Sequence, residues 1–149
     1  MKSILIKTSG DTSDSEIFLE FVFQKAKEGK VVIIPGAGSK ISKALMKAGF
    51  EISFDEHGRV VKGKDELAIM AKVLKGERRK FRKKFGNLNV EIAIPLLYAG
   101  TIACPINGDN LVQAYCKGFD EIYIFTLKKR IKKKAKAFKK YPKVKIIGV

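Results

Sequence analysis

Three short stretches of this chain carry groups that could handle an anion if a fold brought them together: Lys7, the run Pro35-Gly36-Ala37-Gly38-Ser39, and Asn107-Gly108-Asp109. A fixed ammonium can balance the charge of a transferring phosphoryl group. Backbone N–H groups in a glycine turn can hold its oxygens, and a carboxylate can orient the lysine. The turn suits an anion because a helix that starts after it offers unsatisfied N–H groups and the positive end of its dipole. Two plainer readings stand beside this one. The glycines fit a tight connection with no ligand, and Asp109 fits a helix N-cap.

For these groups to meet, the elements around them must form an open sheet. Val31 to Ile34 is an unbroken apolar run, the pattern of a strand covered on both faces. After the glycines, Ser39 is the predicted N-cap of a helix with Ile41, Leu45 and Ala48 on one face. Upstream, Ser3 to Thr8 reads as a strand with Lys7 near its carboxyl end. Residues 9 to 13 break it, and Ser13 or Asp14 is expected to cap a helix through Glu28 with Ile17, Phe18, Phe21, Val22 and Ala26 facing the core. Strand, helix, strand, turn and helix make a βαβα unit, hence a parallel sheet with right-handed crossovers. Ligands of such sheets lie beyond the carboxyl ends of the strands.

Further along, Phe50 to Phe54 alternates, Glu56-His57-Gly58 has turn chemistry and Arg59-Val60-Val61 returns, which predicts a small hairpin. His57 reads there as a tolerant turn residue. A long helix is expected from Lys64 to about Phe85; its second half is dense in cations and reads as a solvated face, with an anion patch the alternative. Pro95 divides Val90 to Gly100, where neither period wins. Thr101 to Ile106 is a predicted strand delivering Asn107 and Asp109. A helix from Asp109 to Gly118, a strand from Glu121 to Thr126, a helix from Leu127 to Tyr141 with Leu127, Ile131, Ala135 and Phe138 on one stripe, and a strand from Val144 to Val149 complete the series.

Length and composition agree with one domain spanning 1–149, with 46% apolar content for its core. A net charge of +16 and a pI near 9.9 invite anionic partners: nucleotide phosphates, acidic metabolites or nucleic acid. A lysine-rich surface is also what heat adaptation produces. No apolar run is long enough to span a bilayer, so a soluble, cytoplasmic protein is expected. With a single histidine and no ligand spacing, Cys104 and Cys116 read as small core residues, not a disulfide or metal pair. The apolar stretch Ile92 to Tyr98 suggests a homo-oligomer.

The order of motifs resembles the amino acid kinase family, and within it the acetylglutamate kinases. Lys7-x-x-Gly10 is followed by a strand into Pro35-Gly36-Ala37-Gly38-Ser39-Lys40-Ile41-Ser42. Then come Gly58-Arg59-Val60, Leu96-Leu97-Tyr98-Ala99-Gly100-Thr101-Ile102, Ile106-Asn107-Gly108-Asp109-Asn110 and Tyr123-Ile124-Phe125-Thr126. The resemblance implies a shortened three-layer αβα sandwich, a mainly parallel sheet, and transfer of the terminal phosphoryl of ATP, with Mg2+, onto a carboxylate or phosphate metabolite. It makes Lys7 and Asp109 catalytic, Gly36, Ala37, Gly38, Ser39, Arg59 and Asn107 substrate-binding, and Gly10 and Thr126 cofactor-binding. Departures are visible: Gly-Ala-Gly for Gly-Gly-Gly, Pro105 for a substrate-contacting asparagine, and a shortened segment before Leu96. The series also ends at Val149, about where the ATP-binding half and its second lysine would continue; a cation between Lys128 and Lys140 is the expected substitute. The alternative is a non-catalytic anion-binding or regulatory module whose basic helices engage nucleic acid or an acidic protein.

Overall fold

Lys2–Thr8 (β1) is the axis of the molecule: Ile4, Leu5 and Ile6 are wholly buried, so both faces of this strand are covered. The computed structural model describes residues 1–149. β1 pairs in parallel with Gly29–Pro35 (β2) on one side and Glu121–Thr126 (β8) on the other. Val90–Ile92 (β5) extends the sheet beyond β2, and Val144–Gly148 (β9) extends it beyond β8, giving the order β5-β2-β1-β8-β9 with every pairing parallel. Parallel strands need crossovers, and the crossovers supply the covering helices.

One face is closed by Glu16–Glu28 (α1) and Lys64–Phe85 (α3). Phe18 sits edge-on to Phe81, Phe85 and Phe125, with ring centroids 6.5, 6.3 and 5.3 Å away, and these rings cover Ile4, Ile6, Val31 and Ile33. Edge-to-face aromatic packing of this kind adds to the area term. Leu111 and Val112 of Gly108–Tyr115 (α4), together with Phe138, close the opposite face over Leu5, Ile122 and Ile124. The sandwich expected from the sequence is therefore present as a five-stranded parallel sheet between helices.

A third cluster lies to one side. Gly38–Lys47 (α2) packs Ile41 and Leu45 against Met70 and Leu74 of α3, and an antiparallel ribbon of Leu96–Ala99 (β6) and Ile102–Pro105 (β7) adds Leu96. A two-residue hairpin, Phe54–Asp55 (β3) with Gly58–Arg59 (β4), stands nearby.

Several boundaries differ from the sequence reading. Helix α1 starts at Glu16, because the side chain of Ser15, not that of Ser13 or Asp14, accepts the N–H of Phe18; Ser13 instead donates to Gly10 O. Helix α2 starts at Gly38, with Ala37 as a cap that supplies no side-chain acceptor, so Ser39 lies inside the helix. The segment 101–106 does not join the main sheet; Pro95 precedes and Pro105 ends a ribbon that pairs only with itself. The helix expected over 127–141 is reduced to a 3-10 turn and Ile131–Ala137 (α5), a lysine-rich segment in which like charges crowd every turn. Cys104 is exposed, which corrects its reading as a core residue, whereas Cys116 is half-buried against the α4 cluster; both are free thiols. No helix is long and apolar enough to cross a membrane.

Candidate functional site

A cavity of about 260 Å³ opens at the carboxyl ends of β1 and β2, and Lys7, Gly36, Ala37, Gly38, Arg59, Asn107 and Asp109 all line it. The lysine arrives there because β1 carries it one residue short of the sheet rim. The glycine turn arrives because Gly36 folds back on β1, its N–H donating to Thr8 O at 2.7 Å. That closeness has a steric condition: a Cβ on Gly36 would stand 2.6 Å from Thr8 O and 2.9 Å from Gly10 N, whereas a Cβ on Gly38 would meet nothing. The two glycines thus differ in purpose, and only the first is required by close approach.

Asn107 is the N-cap of α4, its Oδ1 accepting the N–H groups of Asp109 and Asn110 at 2.9 and 3.3 Å. The plainer reading of Asp109 as the cap is therefore corrected. With the cap provided by Asn107, the Asp109 carboxylate is free to face the cavity, where it bridges two ammoniums: Lys7 Nζ at 2.8 Å from Oδ1 and Lys134 Nζ at 2.5 Å from Oδ2. All three side chains are mostly covered, at 11%, 21% and 19% exposure for Lys7, Asp109 and Lys134. Burial pushes the Asp109 carboxyl up, but the neighbouring Lys7 charge and the Lys134 hydrogen bond outweigh it and hold the group below the ordinary carboxylate range. Burial lowers Lys7, Asp109 opposes that, and the nearby Lys134 charge adds to the lowering.

Arg59 comes from the hairpin. Its Nη2 donates to Gly38 O at 2.9 Å and to Ser42 Oγ at 3.0 Å, and its guanidinium lies 4.8 Å from the ring centroid of Phe54. Nη1 is buried and has no partner. Desolvation lowers the guanidinium's affinity for its proton, though far too little to discharge it. Three cations against one carboxylate leave the cavity with positive excess. Beside them is the start of α2, with no acid in its first turn and no side-chain cap. Chemically, the arrangement can neutralise a bound anion or hold charge that develops on it.

Other sequence-derived candidates fall elsewhere. Gly10 packs against the Gly36 turn with Ser39 Oγ beside it, neither lining the cavity, and Thr126 is wholly buried at the end of β8 with its hydroxyl unpartnered. Two further lining residues shape the site: Lys134, one of the Lys128 to Lys140 cations expected there, and Gly108. Lys134 lies in a stretch where every lysine looks alike, and only Asp109 distinguishes it. Gly108 reads in the sequence only as part of the Asn107-Gly108-Asp109 stretch, yet a Cβ there would stand 2.7 Å from Lys7 Cε, so a side chain at this position would force the end of the lysine to shift. The site does not fit a Mg2+ ion: Asp109 is the one carboxylate lining this cavity and it is already engaged by two ammoniums, and no three His, Cys, Asp or Glu side chains cluster anywhere.

By its fold the chain is an α/β protein whose parallel sheet lies between helices, with a cation-lined cleft at the strand ends. Among solved structures it is similar to the smu.665 protein of Streptococcus mutans UA159, at a TM-score of 0.66 and 19% identity over 83% of this chain and 72% of that one. It is also similar to N-acetylglutamate synthase of Neisseria gonorrhoeae complexed with coenzyme A and N-acetyl-glutamate, at a TM-score of 0.56 and 10% identity over 85% of this chain. The chain spans 42% of the length of that synthase. No protein-family model and no curated protein matches the sequence.

These findings correct the resemblance to the amino acid kinases and, with it, ATP-dependent phosphoryl transfer of the acetylglutamate kinase type. No family model supports the membership, and the structural neighbour whose name states an activity is a synthase, not a kinase. The motif series that suggested kinship consists of short glycine turns and strand ends, which recur wherever parallel sheets turn into helices. The alternative of a regulatory module retaining a kinase fold goes with it. No step involving ATP is derived from this site.

Proposed function

We propose that the cleft binds a small carboxylate-bearing metabolite of the acylated amino-acid class, of which N-acetyl-glutamate is the simplest trial ligand. The observation that carries this reading is the buried, unpartnered Nη1 of Arg59, on a side chain that lines the same cavity as two lysines. A buried guanidinium nitrogen without a partner is costly, and a carboxylate oxygen is its best complement. In this reading Arg59 grips a ligand carboxylate, and the N–H groups of the Ala37–Gly38 turn and the Lys7 and Lys134 ammoniums share the remaining negative charge. Ile41, Met70 and Leu74 provide an apolar wall for a short acyl chain. Support from outside the chain comes from the ligand named with the Neisseria synthase structure.

Isothermal titration calorimetry with N-acetyl-glutamate, glutamate, acetate and sulfate tests the reading. Binding is expected to be saturable and strongest for the acylated dicarboxylate. Arg59→Met should weaken it by about tenfold to a hundredfold, the worth of one charge-assisted hydrogen bond. Equal, weak binding of all four anions, or full affinity in Arg59→Met, refutes the assignment.

A further inference from the structure

We propose that the β6–β7 ribbon is a self-association surface whose occupant is the same ribbon of a second copy of this chain. Ile92 to Gly108 is the longest stretch of the sequence without a Lys, Arg, His, Asp or Glu, in a chain that is 31% charged and carries +16. Within it, the pairing register puts Leu97 opposite Cys104 and Ala99 opposite Ile102, so these four side chains share one face of the ribbon. All four are exposed, Ile102 to 67%, while the other face is anchored by Leu96 and Ala103 against the α2–α3 cluster. A two-stranded ribbon is marginal by itself, and an apolar outer face left to water adds nothing to hold it.

Charge selects the occupant. Every cation responsible for the +16 lies outside this stretch, so two copies approaching by almost any other surface repel, and only here can like meet like without opposing charges. An acidic partner would gain nothing at the ribbon, which offers it no cation; the basic segments of α3 and α5 would draw it instead. A twofold contact also suits the surface because it is self-complementary: Ile102 of one copy can lie on Leu97 and Ala99 of the other, and the reverse. This inference is independent of what the cleft binds.

Sedimentation-velocity and light-scattering measurements on the whole chain test it. The unaltered protein is expected to dimerise, and the dimer should tighten as salt is raised from about 0.15 M to about 0.5 M, because screening relieves the repulsion between the copies. Ile102→Lys should raise the dimer dissociation constant by about tenfold or more with the circular-dichroism melt unchanged. Ile102→Ser gives a milder loss in the same direction should the lysine disturb folding. Ile17→Lys, an equally solvent-facing isoleucine on α1, should leave the dimer intact. A monomer at every salt concentration overturns the proposal, as does a dimer that survives both Ile102 variants or one that is lost in Ile17→Lys.

Discussion

Replacing Asp109 by Asn keeps the shape of the cleft and removes its only negative charge, which leaves the Lys7 and Lys134 ammoniums without a partner 2.8 and 2.5 Å away. Lys134 can swing towards solvent, but Lys7, 11% exposed, cannot. Removing one member of a buried pair costs about 3–5 kcal/mol. A second route limits the loss: Lys7 can shed its proton, and for an amine whose ordinary value is 10.5 that costs about 5 kcal/mol at pH 7. The two figures agree, so the Tm of this 149-residue chain should fall by about 6–20 °C. The sign of the pH dependence follows. In the variant, Lys7 is depressed in the folded state only, so the unfolded chain binds more protons and stability rises with pH up to about 10. The deficit against the unaltered protein should therefore shrink, by at most about 1.4 kcal/mol per pH unit. Urea unfolding followed by circular dichroism at pH 7, 8 and 9 measures this. A loss below about 1 kcal/mol, or a deficit that does not change with pH, refutes the view that Asp109 holds Lys7 charged in a dry site.

The glycine turn allows a matched pair of variants. Gly36→Ala should destabilise by about 3 kcal/mol, because its Cβ runs into backbone that cannot yield. Gly38→Ala, with open space around it, should be neutral or stabilising by about 0.5 kcal/mol, and chemical denaturation ranks the two. Gly108→Val is expected to displace Lys7 and abolish anion binding in calorimetry while α4 remains; retained affinity would show that Lys7 needs no such clearance. Glu121 is held down to about 2 by hydrogen bonds from Lys2, Tyr123 and Lys25. Its contribution is thus complete above the ordinary glutamate value of 4.5 and lost as pH falls towards 2. Glu121→Gln should flatten the acid limb of the stability curve in that window, and an unchanged limb would rule this pairing out as a source of acid sensitivity.

Much of the architecture was written in local pattern. The apolar runs of β1, β2 and β8, the phenylalanines of α1 and the stripe of α3 each declare an element and the face it buries, because hydrophobic periodicity is a property of neighbours in sequence. From βαβ order alone, the rim that would gather Lys7 and the Gly36 turn also followed. What sequence could not fix was anything set by distant contact. Thr101 to Ile106 reads as a sheet strand, yet it pairs with Leu96–Ala99, since register depends on which partner is within reach and not on the strand's own spelling. Which of many lysines completes the cleft was decided when α5 docked Lys134 against Asp109, and how little room Gly108 has for a side chain was decided by the path of Lys7, about a hundred residues earlier. Even the chemistry that the motif order suggested was misread, because short glycine turns report how a chain bends and not what it holds. Residue types determined the elements and the excess of positive charge; only three-dimensional packing decided which charges are dry, which are paired, and that one buried nitrogen of Arg59 has no partner.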